Sequence, residues 1–136
     1  MNYSLDTNIV SEILRNNEIV QKNFNKALQE NSRVYICSIV YYEIMRGLKA
    51  AKKFNFLRKF IEIHNYLPHL TLDKDNYDVL EKAIEIYVQL HNGKQIEDND
   101  IFIAATAIIN DCTLVTANVK HFERVEGLKL INWREI

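Results

Sequence analysis

The feature that most constrains this chain is its alternation of short β-branched and aromatic runs with longer stretches of helical periodicity. Met1–Leu5, Val34–Cys37, Leu70–Leu72, Thr113–Thr116 and Leu128–Ile131 read as strands. Between them lie stretches whose apolar residues recur every three or four positions. These are Ile9, Ile13 and Leu14, then Glu18–Glu30, Ile39–Ala51, Phe54–Asn65, Asp75–His91, the segment opened by Glu97–Asp100, and Asn118–Arg124. Parallel neighbours in a sheet need a crossover connection, usually a helix. The alternation therefore predicts an α/β fold with a mostly parallel central sheet, flanked by helices on both faces. Ser38 is expected to cap the helix after the second strand, Pro68 to break one and Gly93 to end another.

Composition narrows the class further. With 136 residues, 48% of them hydrophobic, 3 Gly and 1 Pro, the chain suits one globular domain over residues 1–136, not a disordered or fibrous chain. Its 17 Lys+Arg against 18 Asp+Glu leave a nucleic-acid partner open, because a partner responds to local charge and not to the total. Cys37 and Cys112 lack a CxxC partner and sit in apolar runs, so buried free thiols are expected. No signal peptide or membrane-length apolar run appears, which makes a cytoplasmic protein the expectation.

The polar residues that interrupt the apolar runs fall where strands end and helices begin. Asp6 ends the first strand, Glu43 lies early in the helix after the second, Asp100 opens the helix before the fourth, and Asn118 follows the fourth. In an open parallel sheet the ligand crevice lies at the carboxyl ends of the strands, so these residues are placed to converge. Carboxylates so gathered repel one another unless a cation joins them. Oxygen donors with no His or Cys cluster select a hard ion, Mg²⁺ or Mn²⁺, whose usual work is on phosphate esters. Each residue also has a plainer role: Asp6 as a helix cap, Glu43 as a solvated helix residue, Asp98 and Asp100 as acids favoured by a helix dipole, Asn118 as a turn residue. Their agreement at four matching positions favours a site.

At these residues the chain resembles the PIN-domain ribonucleases, particularly the VapC toxins of toxin–antitoxin pairs. Ser4-Leu5-Asp6-Thr7-Asn8 is similar to the family's first acidic motif, and Ser38 to Gly47, with Glu43 followed four places on by a small residue, to its second. Asp98-Asn-Asp100-Ile-Phe-Ile-Ala-Ala-Thr-Ala107 resembles the third, and Leu114-Val-Thr116-Ala-Asn118 followed by Lys120-His-Phe122 the fourth. The resemblance runs from Met1 to Trp133. It implies a PIN-like three-layer sandwich and an Mg²⁺-dependent endoribonuclease, with Mn²⁺ as a substitute, leaving 5′-phosphate and 3′-hydroxyl ends. It implies that Asp6 and Asp100 are the metal ligands and that Glu43 completes the acidic cluster as ligand or water-orienting group. Asn118 takes the fourth catalytic position, Asp98 is a cap or outer group, and Asn8 and Thr116 support the cluster by hydrogen bonds. The family often carries Asp at the fourth position; Asn118 brings no charge, so a second ion is expected to bind weakly or only with RNA phosphate. The implied partners are RNA, a cognate antitoxin and a second copy of the chain.

Arg46, Lys49, Lys52, Lys53, Arg58 and Lys59 form a tract free of acids that starts three residues beyond Glu43, suited either to guide RNA or to serve as a solvated or antitoxin-binding face. Tyr41, Tyr42, Phe54, Phe56 and Phe60 read as core or dimer packing. His64, His69, His91 and His121 show no ligand spacing, and no Gly-rich phosphate loop or nucleophilic Ser or Cys arrangement appears. Rival readings fit less well. An Asp-based phosphotransfer enzyme wants a second acid where Asn8 stands, and a receiver domain would place its acceptor near Leu70–Asp73. A catalytically inactive PIN-like binding module would not need all three acids.

Overall fold

The computed structural model describes residues 1–72 and 76–135. The strands β1 (Asn2–Leu5), β2 (Arg33–Cys37), β3 (His69–Leu70), β4 (Thr113–Val115) and β5 (Lys129–Ile131) form a sheet in the order β3-β2-β1-β4-β5. Every neighbouring pair is parallel, so the expected mostly parallel sheet is parallel throughout. In register, Ser4 stands beside Tyr35 on one side and Leu114 on the other, and Leu5 beside Val115. The third strand stops at Leu70, short of the expected Leu72. The chain leaves β1 toward β2 and β3 on one side and later returns to β4 and β5 on the other. The carboxyl ends of β1 and β4 are thus the switch point at which such sheets bind ligands.

The helices are α1 (Thr7–Leu14), α2 (Glu18–Gln29), α3 (Ser38–Ala50), α4 (Phe54–Tyr66), α5 (Asp78–Leu90), α6 (Asp98–Ile109) and α7 (Val119–Phe122). The expected start of the fifth helix at Asp75 lies outside the described residues, as does the Asp73 of the receiver-domain reading. Helix α1 buries Ile9, Val10, Ile13 and Leu14, and packs against α2, α3 and α4. Helix α6 buries Ile101 and the whole run Ile103–Ala107. A helix apolar on nearly all sides belongs in the interior, and α5 packs along it.

One expected cap fails. Cys37, not Ser38, occupies the cap position of α3, and it makes no side-chain capping bond. Ser38 lies inside the first turn and its hydroxyl donates to the Leu70 carbonyl at 3.4 Å, tying α3 to the end of β3. Both cysteines are free and buried, as expected, and burial pushes their thiols up to about 11, which leaves them unreactive. Among the described residues no helix is long and apolar enough to cross a membrane.

Candidate active site

Asp6 directly follows the last residue of β1 and is the N-cap of α1. Its backbone is extended, its N–H donates to the Val115 carbonyl at 2.9 Å, and its own carbonyl accepts from Ile9 and Val10. Its carboxylate accepts from the Thr7 N–H through Oδ1 at 2.8 Å and from the Thr116 hydroxyl through Oδ2 at 2.8 Å. One side chain, 5% exposed, therefore caps α1 and is bonded to the turn after β4.

Thr116 ties this corner together. Besides donating to Asp6, its hydroxyl oxygen accepts from the Asn118 N–H at 3.0 Å and from the Asn8 amide at 3.4 Å. Asn8 in turn accepts from the Ala117 N–H at 3.1 Å. The turn after β4 is thereby fastened to the start of α1, and Asn8 and Thr116 do support the cluster by hydrogen bonds.

Glu43 reaches the same place from α3. Its Oε1 accepts from the Thr7 hydroxyl at 2.7 Å, and Oε2 lies 3.4 Å from the Asn99 amide and 3.9 Å from the Arg46 guanidinium. Thr7 thus serves two acids at once, Asp6 by its backbone and Glu43 by its side chain. Asp100, in the first turn of α6, has Oδ2 at 2.9 Å from Nε2 of His121. The Asp100 and His121 side chains are about equally exposed, at 25% and 26%.

The three acids share one electrostatic field. Burial pushes the Asp6 carboxyl up to about 6; the Thr116 and Thr7 bonds oppose that rise, and the charges of Asp100 and Glu43 add to it. Burial also raises Asp100; His121 draws it back, and Glu43 and Glu97 push it higher. Asp98 stands exposed, and the acid acting on Asp100 from that segment is Glu97.

Asn118 joins the network through its backbone N–H, while its side chain is exposed and caps nothing on α7. Among the described residues no three His, Cys, Asp or Glu side chains stand close enough to cage an ion unaided. That donor set still fits a hard cation. Mg²⁺ is held by one or two carboxylates, with water and phosphate oxygens completing its shell. Asp6 and Asp100 are acids whose charge is disfavoured where they stand, so a cation between them would relieve both.

Sequence reasoning misses three members of this cluster. Thr7 lies inside a motif read for Asp6 and Asn8, Asn99 stands between two acids with no signal of its own, and His121 lies in the fourth motif with no role assigned to it. The basic tract divides. Lys59 donates to the carbonyls of Ile13 and Leu14 and to Asn16, closing the end of α1, and Arg46 lies over the Tyr42 ring beside Glu43. Of the aromatic residues expected to pack, Phe60 is fully buried, whereas Tyr42 and Phe54 are exposed. A Cβ at Gly47 would meet nothing within 4 Å, so packing within this chain does not demand a small residue there.

A PIN domain family model matches residues 3–128. Ribonuclease VapC2 of Rickettsia felis is 33% identical over 138 aligned positions, covering 98% of each chain. Ribonuclease VapC1 of Methanocaldococcus jannaschii is 34% identical, covering 88% of this chain and 87% of its own. Among solved structures, VapBC2 from Rickettsia felis bound to a DNA fragment from its promoter superposes with a TM-score of 0.87 at 29% identity, covering 98% of this chain and 99% of that one.

Proposed function

The chain belongs to the PIN-domain family, and from that membership we propose that it is a divalent-metal-dependent endoribonuclease acting as the toxin of a VapBC-type pair. The observation that carries the reading is Asp6: a buried carboxylate at the sheet's switch point, with two further acids raising its pKa. Holding such a charge without a counter-ion is costly, and the carboxyl ends of β1 and β4 are where a ligand would meet it.

In this reading Asp6 and Asp100 hold the ion, Mg²⁺ or Mn²⁺ in its place. When bound, the ion stabilises charge on the scissile phosphate and lowers the pKa of an attacking water. The chain's own residues supply the geometry. Thr116 and the Thr7 N–H each hold one oxygen of Asp6, which fixes its carboxylate in place. His121 holds one oxygen of Asp100. Glu43 has one oxygen engaged by Thr7 at 2.7 Å, while its other meets only a long Asn99 contact and a distant Arg46. That second oxygen, the less firmly held of the two, would accept a proton of the attacking water, which suits Glu43 to orient it.

Asn118 adds no charge, so a second ion would depend on the phosphate of bound RNA. In-line attack by water with the 3′-oxygen leaving, as the family resemblance implies, would leave 5′-phosphate and 3′-hydroxyl ends. The relatives' names and the VapBC2 complex support an RNA substrate and a cognate antitoxin. We further read residues 1–136 as one PIN domain, acting in the cytoplasm as a homodimer.

The test is incubation of the purified chain with total RNA in Mg²⁺ or Mn²⁺, in EDTA, and with Asp6→Asn or Asp100→Asn. Cleavage lost with EDTA and with either substitution is the expected result. Cleavage indifferent to all of these, or cyclic-phosphate ends, overturns the reading. RNA binding with no cleavage under any condition would instead favour an inactive binding module.

A further inference from the structure

We infer that a cavity of about 190 Å³ beside the carboxylates, lined by Lys94, Ile96, Asn118, Lys120, His121 and Arg124, seats a phosphate of the RNA strand next to the one being cut. The inference rests on the ribonuclease reading above and names a second binding point for the same substrate.

The lining contains no acid. Among the described residues none of Lys94, Lys120 and Arg124 lies within ion-pair distance of a carboxylate. Lys120 and Arg124, four residues apart on and just past α7, meet Lys94 on one concavity, and three cations so placed repel one another until an anion joins them. Solvated lysines on a convex face would have no such geometry.

Arg124 is held in position by bonds unrelated to α7. Its guanidinium donates to the Lys94 carbonyl, its own carbonyl accepts from the Gln89 amide at 2.6 Å, and the Glu126 N–H donates back to Gln89 at 3.1 Å. Gly93 leaves it room, because a Cβ there would stand 3.1 Å from Arg124 Nη1. A planar donor fixed before the ligand arrives suits a phosphate, since little ordering remains to be done on binding.

The cavity is continuous with the acidic site through His121, which lines it and also bonds Asp100 at 2.9 Å. A strand whose scissile phosphate lies at the carboxylates therefore passes one side chain away from the cations. The residue at 118 fits the same logic. A carboxylate there would stand in the lining and oppose an anion, while the Asn118 amide can donate to one.

The experiment uses the full chain and a fluorescein-labelled oligouridylate in EDTA, with anisotropy followed across a salt series. Lys94→Gln with Lys120→Gln should lower affinity about tenfold at low salt and reduce the salt slope by about 0.7, as removal of one neutralised phosphate requires. Lys94→Arg with Lys120→Arg should keep both. An oligouridylate with a neutral methylphosphonate backbone should not distinguish the Gln variant from the parent. Thermal melts of each variant show that the fold is retained. An unchanged affinity and slope in the Gln variant overturn the inference. So does an equal loss toward the neutral oligomer, which would assign the lysines to bases. Intact RNA binding with loss of binding to polyglutamate would also overturn it and assign the pocket to an acidic protein segment. Hydrolysis of total RNA by the parent chain in Mg²⁺ is measured alongside. Hydrolysis with an unaltered Gln variant sinks the subsite alone, whereas no hydrolysis sinks the ribonuclease reading itself.

Discussion

Asp6 and Glu43 are carboxylates at the mouth of the same sheet, yet they are held in opposite ways. Asp6 is 5% exposed, directly follows a central strand, and has both oxygens bonded at 2.8 Å. Glu43 is partly open to solvent, comes from the middle of a helix, and is firmly bonded at one oxygen alone. A ligand to a metal gains from being fixed in advance, because its geometry is then set before the ion arrives. A group that must accept a proton from water gains from a free lone pair and access to solvent. The two acids thus suit two tasks, and the difference follows from their elements. The end of a central strand has a paired neighbour on each side, and the helix residue Glu43 is partly open to solvent.

The sharpest way to break that contrast is to remove the charge of Asp6. Asp6→Asn should lower the RNA cleavage rate about 10³-fold or more, read by single-turnover cleavage in Mg²⁺. Glu43→Gln, which keeps the shape, should cost less than that, and an equal loss would mean the two acids act alike.

The next largest effect is on stability. The Asp6 carboxyl sits near 6 in the folded chain against 3.8 for the free side chain. Between those values the folded state holds a proton that the unfolded chain has released, so stability falls as pH rises from about 4 to about 6 and is level beyond. At 1.36 kcal/mol per unit the drop is on the order of 3 kcal/mol. Urea melts without metal should show this slope in the parent and a shallower one in Asp6→Asn, where the raised Asp100 remains. Mg²⁺ at pH 7 should restore stability to the parent alone.

Thr116→Val comes third. It deletes the donor to Asp6 and leaves the N–H of Asn118 without its acceptor, for a loss of about 1–3 kcal/mol by urea melt. Misorientation of a metal-holding acid should also slow cleavage about 10- to 100-fold. Thr7→Val is smaller, because the N–H to Asp6 survives and only the bond to Glu43 disappears. It should slow cleavage less than Thr116→Val and leave the pH dependence of stability unchanged. A larger loss for Thr7→Val would place the rate-governing geometry at Glu43.

The fold class and the Asp6, Glu43 and Asp100 positions were legible because each rests on a local signal. Strand and helix periods differ, so their alternation can be read residue by residue. An Asp that ends an apolar run, or precedes an apolar helix, stands out against its neighbours. Ser38 misled for the same reason: its local signal is that of a cap, but the Leu70 carbonyl lies within its reach once β3 pairs with β2. Thr7, Asn99 and His121 carried no such signal. Threonine, asparagine and a lone histidine are ordinary residues until another element is brought against them.

By itself, then, the sequence determined which residues alternate between strand and helix and which acids interrupt them, since both are matters of side-chain type and spacing along one chain. The tertiary structure alone decided that Thr7 would join Asp6 to Glu43, that His121 would bond Asp100 across 21 positions, and that Lys94 and Arg124 would share a cavity with Asn118. Those pairings depend on the order of strands in the sheet. Strand order is settled by how the crossovers pack against the common core, and no stretch of the chain encodes it locally.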